Sequence, residues 1–207
     1  MQRDLSASEL LLALVRNFPR DRVSIQNILD GLGERSFGLV LLLFGILSAV
    51  AVVPGLATVT AVPLLIFGAQ MVAGFHSPSL PGFIANRSFT KRDLVATIER
   101  GVPYVRWIEN VCRPRLLFMT GRIGERLLGI LVFVLAVVIA LPGPGTNFLP
   151  GLAIAFMAVA IVQRDGLLLL VGWLGSAFAL YVGWLGLSLM FELLWPQVRD
   201  FIGKVGI

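Results

Sequence analysis

From Ser36 to Phe75 the chain runs 40 residues without a charged side chain, and Pro54-Gly55 stands near the middle of that run. A continuous helix of that length would measure about 60 Å, roughly twice the hydrocarbon thickness of a bilayer. The run must therefore break. Proline deletes an N–H and clashes with the preceding turn, and glycine takes dihedrals that other residues avoid, so this dipeptide supplies the break. The two arms, about 39 to 53 and 59 to 75, are each slightly short for a perpendicular crossing. The unit is either a hairpin of two short spans or a re-entrant loop.

The same design returns 88 residues later. Val53-Pro54-Gly55-Leu56-Ala57-Thr58 is echoed by Leu141-Pro142-Gly143-Pro144-Gly145-Thr146, inside an uncharged run from Leu127 to Gln163, and each break is followed by a further proline, Pro63 and Pro150. Upstream, Gly33-Glu34-Arg35-Ser36-Phe37-Gly38 matches Gly124-Glu125-Arg126-Leu127-Leu128-Gly129 in the pattern G-E-R-x-x-G. The shared residues are not the abundant apolar ones, which points to an internal repeat and away from two greasy segments that look alike by chance.

A chain that is 57% hydrophobic and 14% charged, with a mean hydropathy of +0.89, is too apolar for an ordinary soluble domain. The expected fold class is an all-α integral membrane protein. A net charge of +5 in such a chain fits anionic lipid and not nucleic acid. One cysteine, Cys112, and one histidine leave no internal disulfide and no recognisable metal or redox cluster, so neither metal nor cofactor is expected.

Residues 1 to 36 carry ten charges, and their apolar cluster from Leu10 to Val15 is too short for the core of a signal peptide. Ser6-Ala7-Ser8-Glu9 has capping-box spacing and opens a short amphipathic helix; a second is predicted from Ser24 to Leu32, ended by Gly31 or Gly33. Residues 76 to 126 hold nine basic and four acidic side chains and no run long enough to span. Thr90-x-x-Asp93 can cap a helix there that Gly101 ends. Beyond Pro103, Tyr104, Trp107, Ile108 and Val111 share one helical face, fit either for the membrane interface or for the protein's own helices.

The last apolar run, Leu167 to Trp195, places Trp173, Trp184 and Trp195 at intervals of 11 residues. Eleven residues are close to three helical turns, so one continuous transmembrane helix is predicted, about 43 Å long and ended by Pro196. Gly172, Gly175, Ala179, Gly183 and Gly186 form a small-residue face that lets another helix approach, either from the broken units or from a second copy of the chain.

The chain is thus read as one membrane domain, 1–207. It comprises an N-terminal amphipathic segment (1–36), broken-helix repeat 1 (37–75), a basic amphipathic linker (76–126), broken-helix repeat 2 (127–163), the long transmembrane helix (167–195) and a short tail (196–207). If each broken unit returns to the side it entered, 15 of the 17 basic residues share one side, which the positive-inside rule makes cytoplasmic together with the N-terminus and linker.

The G-E-R-S-F-G block, V-P-G-L-A-T-V with P-L-L-I-F-G-A-Q-M, Pro78-Ser79-Leu80-Pro81, Arg113-Pro114-Arg115-Leu116, the second G-E-R, Leu141 to Pro150 and Arg164-Asp165-Gly166 together resemble the exopolysaccharide-synthesis ExoD family of bacterial membrane proteins. The match covers nearly all of the chain after about residue 24. It departs at Ser79, where a tryptophan is expected, and at Gln163, where an acid is usual. The resemblance implies a multi-pass protein of the bacterial inner membrane, linked to exopolysaccharide production and alkali tolerance.

In hydrocarbon, irregular backbone persists only where it is buried in protein or lines a wet cavity. Two facing breaks would gather helix ends near the bilayer midplane, N-terminal N–H groups able to hold an anion and terminal carbonyls a cation. The expected lining is Pro54, Gly55, Thr58, Thr60 and Gln70 from the first unit with Pro142, Gly143, Gly145, Thr146 and Asn147 from the second; alternatively, the threonines only cap the returning arms. Neither broken run holds a titratable side chain, so charges lie at the rims: Glu34, Arg35, Glu125, Arg126, Arg164 and Asp165. They act as salt bridges and lipid-phosphate contacts, or as a gate.

The expected function is a transporter or channel-like protein for a small ion, an anionic solute or a lipid-linked substrate. A non-transporting scaffold for envelope polysaccharide machinery is the alternative. An enzyme is not expected, because no nucleophile or paired carboxylates stand at membrane depth. Membrane lipids are the expected partners, with a homodimer as the assembly.

Overall fold

The computed structural model describes residues 13, 15, 17–19, 21–33, 35–50, 56–92, 94–96, 99, 115–141 and 147–205. The architecture is all-helical apart from one small ribbon. That ribbon pairs β1 (Arg22–Ser24) with β2 (Ser88–Thr90) in antiparallel register, Val23 opposite Phe89. Helix α1 (Ile25–Leu32) follows β1. Ser24 caps it, its Oγ accepting from the Asn27 N–H at 3.2 Å, and Gly33 ends it at φ 57°. Both boundaries agree with the sequence reading, whereas the three-residue strands carry no periodic signal to read.

Each uncharged run holds two helices. The first gives α2 (Arg35–Val50) and α3 (Leu56–Ala73), and the second gives α4 (Arg122–Ala140) and α5 (Phe148–Gln163). Pro150 falls in the first turn of α5, where its missing N–H has no partner to lose. Pro63 lies inside α3, which continues through it. Helix α6 runs from Gly166 to Val205 and passes Pro196, where the sequence predicts a stop. Proline removes one donor and bends the axis, but the turns on either side keep their own bonds.

Two helices are long and apolar enough to cross a membrane, Arg122–Ala140 and the Gly166–Glu192 portion of α6, while Arg35–Val50, Thr58–Ala73 and Phe148–Gln163 are shorter apolar helices. Leu43, Val50, Val59, Leu174 and Phe178 are among many large apolar side chains left on the outside. That much exposed apolar surface is foreign to a soluble monomer.

The arms pair crosswise. Helix α2 packs chiefly on α5, and α3 chiefly on α4. Glycines set both approaches. A Cβ on Gly45 would lie 3.0 Å from the Gly151 carbonyl oxygen, and one on Gly151 would lie 2.6 Å from the Ala49 nitrogen. In the other pair a Cβ on Gly68 would lie 3.0 Å from the Gly129 carbonyl oxygen, and one on Gly129 would lie 2.7 Å from the Met71 Cβ. Without side chains at these points the backbones come close, which is how helices associate where lipid gives no hydrophobic drive. Leu41, Leu64, Leu128, Leu135, Ile154 and Met157 fill the core between the pairs.

Helix α6 closes the bundle with its small residues. Gly172 meets Met157 of α5 and Gly183 meets Val138 of α4, with Ser176 and Ala179 buried between them. The small-residue face therefore serves the chain's own helices. Gly175 departs from it: it is exposed, with nothing within 4 Å of a Cβ built there. The stripe at intervals of three and four residues runs through 172, 176, 179 and 183, and 175 falls off its edge.

Candidate functional site

Pro54, Gly55, Pro142, Gly143, Gly145, Thr146 and Glu34 lie outside the described residues. The flanks of the breaks are described. In the first unit, Ser48 near the end of α2 donates its Oγ–H to Thr60 Oγ1 at 2.8 Å, and both side chains are buried. Thr60 is thus tied to its own unit across the break. Sequence reasoning did not single out Ser48, a small polar residue among leucines whose partner is fixed only when the break folds. A buried hydroxyl without such a partner would cost about 1 to 3 kcal/mol. Thr58, in the first turn of α3, is exposed. Asn147 takes the N-cap position of α5 without a side-chain cap bond to that helix, and its carbonyl accepts from the Gly151 N–H at 3.0 Å.

Gln70 lies toward the opposite end of α3. Its side-chain amide donates to the Ser79 carbonyl at 3.0 Å, and its Oε1 accepts from the Ser79 N–H at 2.9 Å. Only main chain is used at 79, so this clamp does not depend on the side chain there. Beside it, Ser77 donates to Asp30 Oδ1 at 2.7 Å and the Gln26 amide reaches the Pro78 carbonyl at 3.3 Å. Helix α1 is thereby fastened to the exit of α3.

The best-defined polar junction joins two motifs far apart in sequence, Arg115-Leu116 and Arg164-Asp165-Gly166. Helix α5 ends in a Schellman turn. Arg164 sits at φ 53°, its N–H donates to Ile161, and the Asp165 N–H donates to Ala160 at 2.9 Å. Asp165 then caps α6: its Oδ1 accepts from the N–H groups of Leu167 at 3.0 Å and Leu168 at 3.2 Å, and the residue is 6% exposed. The end of the linker docks here, the Gly166 N–H donating to the Arg115 carbonyl at 2.7 Å. A Cβ at Gly166 would lie 2.6 Å from the Leu116 carbonyl oxygen, and Leu116 itself takes a left-handed φ of 50°. Of the rim charges, Asp165 is built into the fold.

Two further rim charges, Glu125 and Arg126, line a cavity of about 230 Å³ where the start of α2, the end of α3 and the start of α4 converge. Its wall includes Glu125, half-buried, and Arg126, exposed, with His76 and Arg122, which sequence reasoning passed over. Arg35 opens α2 and is half-buried.

These features define a class: an all-helical protein of apolar helices, two of them of membrane-crossing length, held by glycine contacts. The chain belongs to the exopolysaccharide synthesis ExoD family, whose model matches residues 7–185. It is 28% identical over 173 residues to protein ExoD of Rhizobium meliloti, covering 81% of this chain and 72% of that one. It is also 29% identical over 164 residues to an uncharacterized protein of Synechocystis sp., covering 77% of each. No solved structure matches.

Proposed function

We propose that the chain is a multi-pass, non-enzymatic protein of the bacterial inner membrane. Its two Pro-Gly-broken units meet to form a path for a small ion, an anionic solute or a lipid-linked substrate used in exopolysaccharide production. The crossed pairing of arms is the observation that carries this reading. Two copies of one unit related by an axis along the membrane normal pair in this manner, first arm to second arm, twice. In keeping with it, the last glycine of each G-E-R-x-x-G touches the returning arm of the other unit, Gly38 against Ala158 and Gly129 against Met71.

In this arrangement the ends of α2 and α4 and the starts of α3 and α5 lie at the end of the bundle away from the rim. Arms of 16 to 19 residues measure about 24 to 28 Å against a core of about 30 Å, so arms that start on the linker's side reach past the bilayer middle, into the opposite leaflet. The N-termini of α3 and α5 bring partial positive charge there. Thr58, Thr146 and Asn147 line the path beside the Pro-Gly turns, and the linker and N-terminus are cytoplasmic. The outer face of α6, where Trp184 is 65% exposed, is left for lipid or for a second copy.

The Ser48–Thr60 bond favours a second reading, a non-transporting scaffold for polysaccharide machinery, since it spends on packing a hydroxyl that a path could use. Flux through liposomes separates the two. Wild type is expected to pass at least one of small anions, protons or fluorescent lipids, with Thr58→Val, Thr146→Val and Asn147→Ala each lowering the rate roughly tenfold, the effect of about 1.4 kcal/mol on a barrier. No flux of any of these, from folded variants that still restore polysaccharide production in cells, would leave the scaffold standing.

A further inference from the structure

The rim cavity has a composition of its own. Its floor is apolar and buried, made by Phe37 and Met71, with Phe75 at its edge; above the floor stand Arg122, Arg126 and His76. Gly74 takes φ 82°, and the Arg126 guanidinium lies over it, with Nη2 3.1 Å from where a Cβ would be. A side chain at 74 would push the arginine out of the cavity. No other described residue takes a hydrogen bond or ion pair from Arg122, Arg126 or His76. Glu125 contributes the carboxylate in the wall.

Two guanidinium forks left unspent around a cavity of this size match the tetrahedral oxygens of a phosphate group. The start of α4 at the same place adds its partial positive charge. On the outer surface of α4, one position along from Arg122 and Arg126, stand apolar side chains: Ile123 is 77% exposed, and Leu127 and Ile130, also exposed, follow it. A phosphate in the cavity would place anything attached to it along that strip. An acyl chain is the attachment that gains from lying there.

We infer that this cavity is a phosphate-binding site for an anionic phospholipid, with Arg122, Arg126 and His76 on the phosphate and the chains against Ile123, Leu127 and Ile130. The site lies at the end of the bundle opposite the end of α2 and the start of α3. Its occupancy does not depend on transport, so a failed flux assay leaves it intact.

Native mass spectrometry of the full chain in detergent, with added lipid, tests the assignment. Phosphatidylglycerol should bind and diacylglycerol, which lacks the phosphate, should not. Arg122→Gln with Arg126→Gln should weaken phosphatidylglycerol binding about tenfold or more, as expected for lost charge-assisted bonds. Arg126→Lys should retain part of the affinity, and Arg92→Gln, outside the cavity, should leave it unchanged. If the double variant does not fold, Arg126→Lys and His76→Gln carry the comparison. Binding of inorganic phosphate with the same arginine dependence, and no advantage for the lipid, would keep the phosphate site but assign it to a free anion. Equal phosphatidylglycerol binding in wild type and the double variant, or equal loss in Arg92→Gln, overturns the proposal.

Discussion

Replacing Gly151 by leucine is expected to destabilise the protein by about 3 kcal/mol or more, measured by unfolding in mixed detergent micelles. The Cβ alone would stand 2.6 Å from the Ala49 nitrogen and 2.7 Å from the Gly45 carbonyl oxygen. Both are backbone atoms of α2 that no rotamer change can move, so the helices must separate. Separation also opens the contact at Gly45, which faces the same crossing from the other side. A helical glycine loses about 1 kcal/mol of intrinsic propensity relative to alanine, so a substitution without steric conflict should gain up to that amount. Gly175→Ala supplies that control, because nothing lies within 4 Å of its Cβ. Opposite signs for the two substitutions are expected. Equal effects would mean that the glycine contact does not hold α2 to α5.

Asp165→Ala is expected to cost about 2 kcal/mol. The substitution removes the acceptor for the Leu167 and Leu168 N–H groups in a junction where the residue is almost fully buried, so water cannot readily replace it. The same turn receives the end of the linker through the Gly166 N–H, so the loss loosens the α5–α6 corner and the docked Arg115 strand together. Asparagine keeps a capping oxygen, and Asp165→Asn should cost a few tenths of a kcal/mol, both substitutions being read by unfolding in mixed detergent micelles. If alanine and asparagine are equally harmful, charge and not capping is what the site uses.

The helices and their ends were legible where one residue type decides locally. The two charge-free runs gave the arms, Ser24 and Gly33 gave the ends of α1, and the start of α6 followed from the apolar run that opens at Leu167. The partners of those helices were not legible. The second arms, α3 and α5, are apolar all round, so periodicity marks no face, and the crossed pairing depends on glycines whose role appears only when another backbone arrives. Gly45 of α2 and Gly68 of α3 set the two crossings, yet nothing in their spacing marks them as contact points. Pro196 misled because the rule for a helix stop holds at chain ends and not wherever turns on both sides can keep their bonds. The rim cavity was invisible because its walls come from residues 37, 71 to 76 and 122 to 126, which approach only in three dimensions.

Thiol accessibility at the breaks tests the central proposal most directly. In a Cys112→Ser background, cysteine placed at Thr58 or at Thr146 should react with a membrane-impermeant reagent added from the side opposite the linker, and a solute that is carried should slow the reaction. Failure of both positions to react from either side, in folded protein where a control cysteine introduced at Arg92 in the linker does react, would contradict a wet path at the breaks and leave them as packed turns.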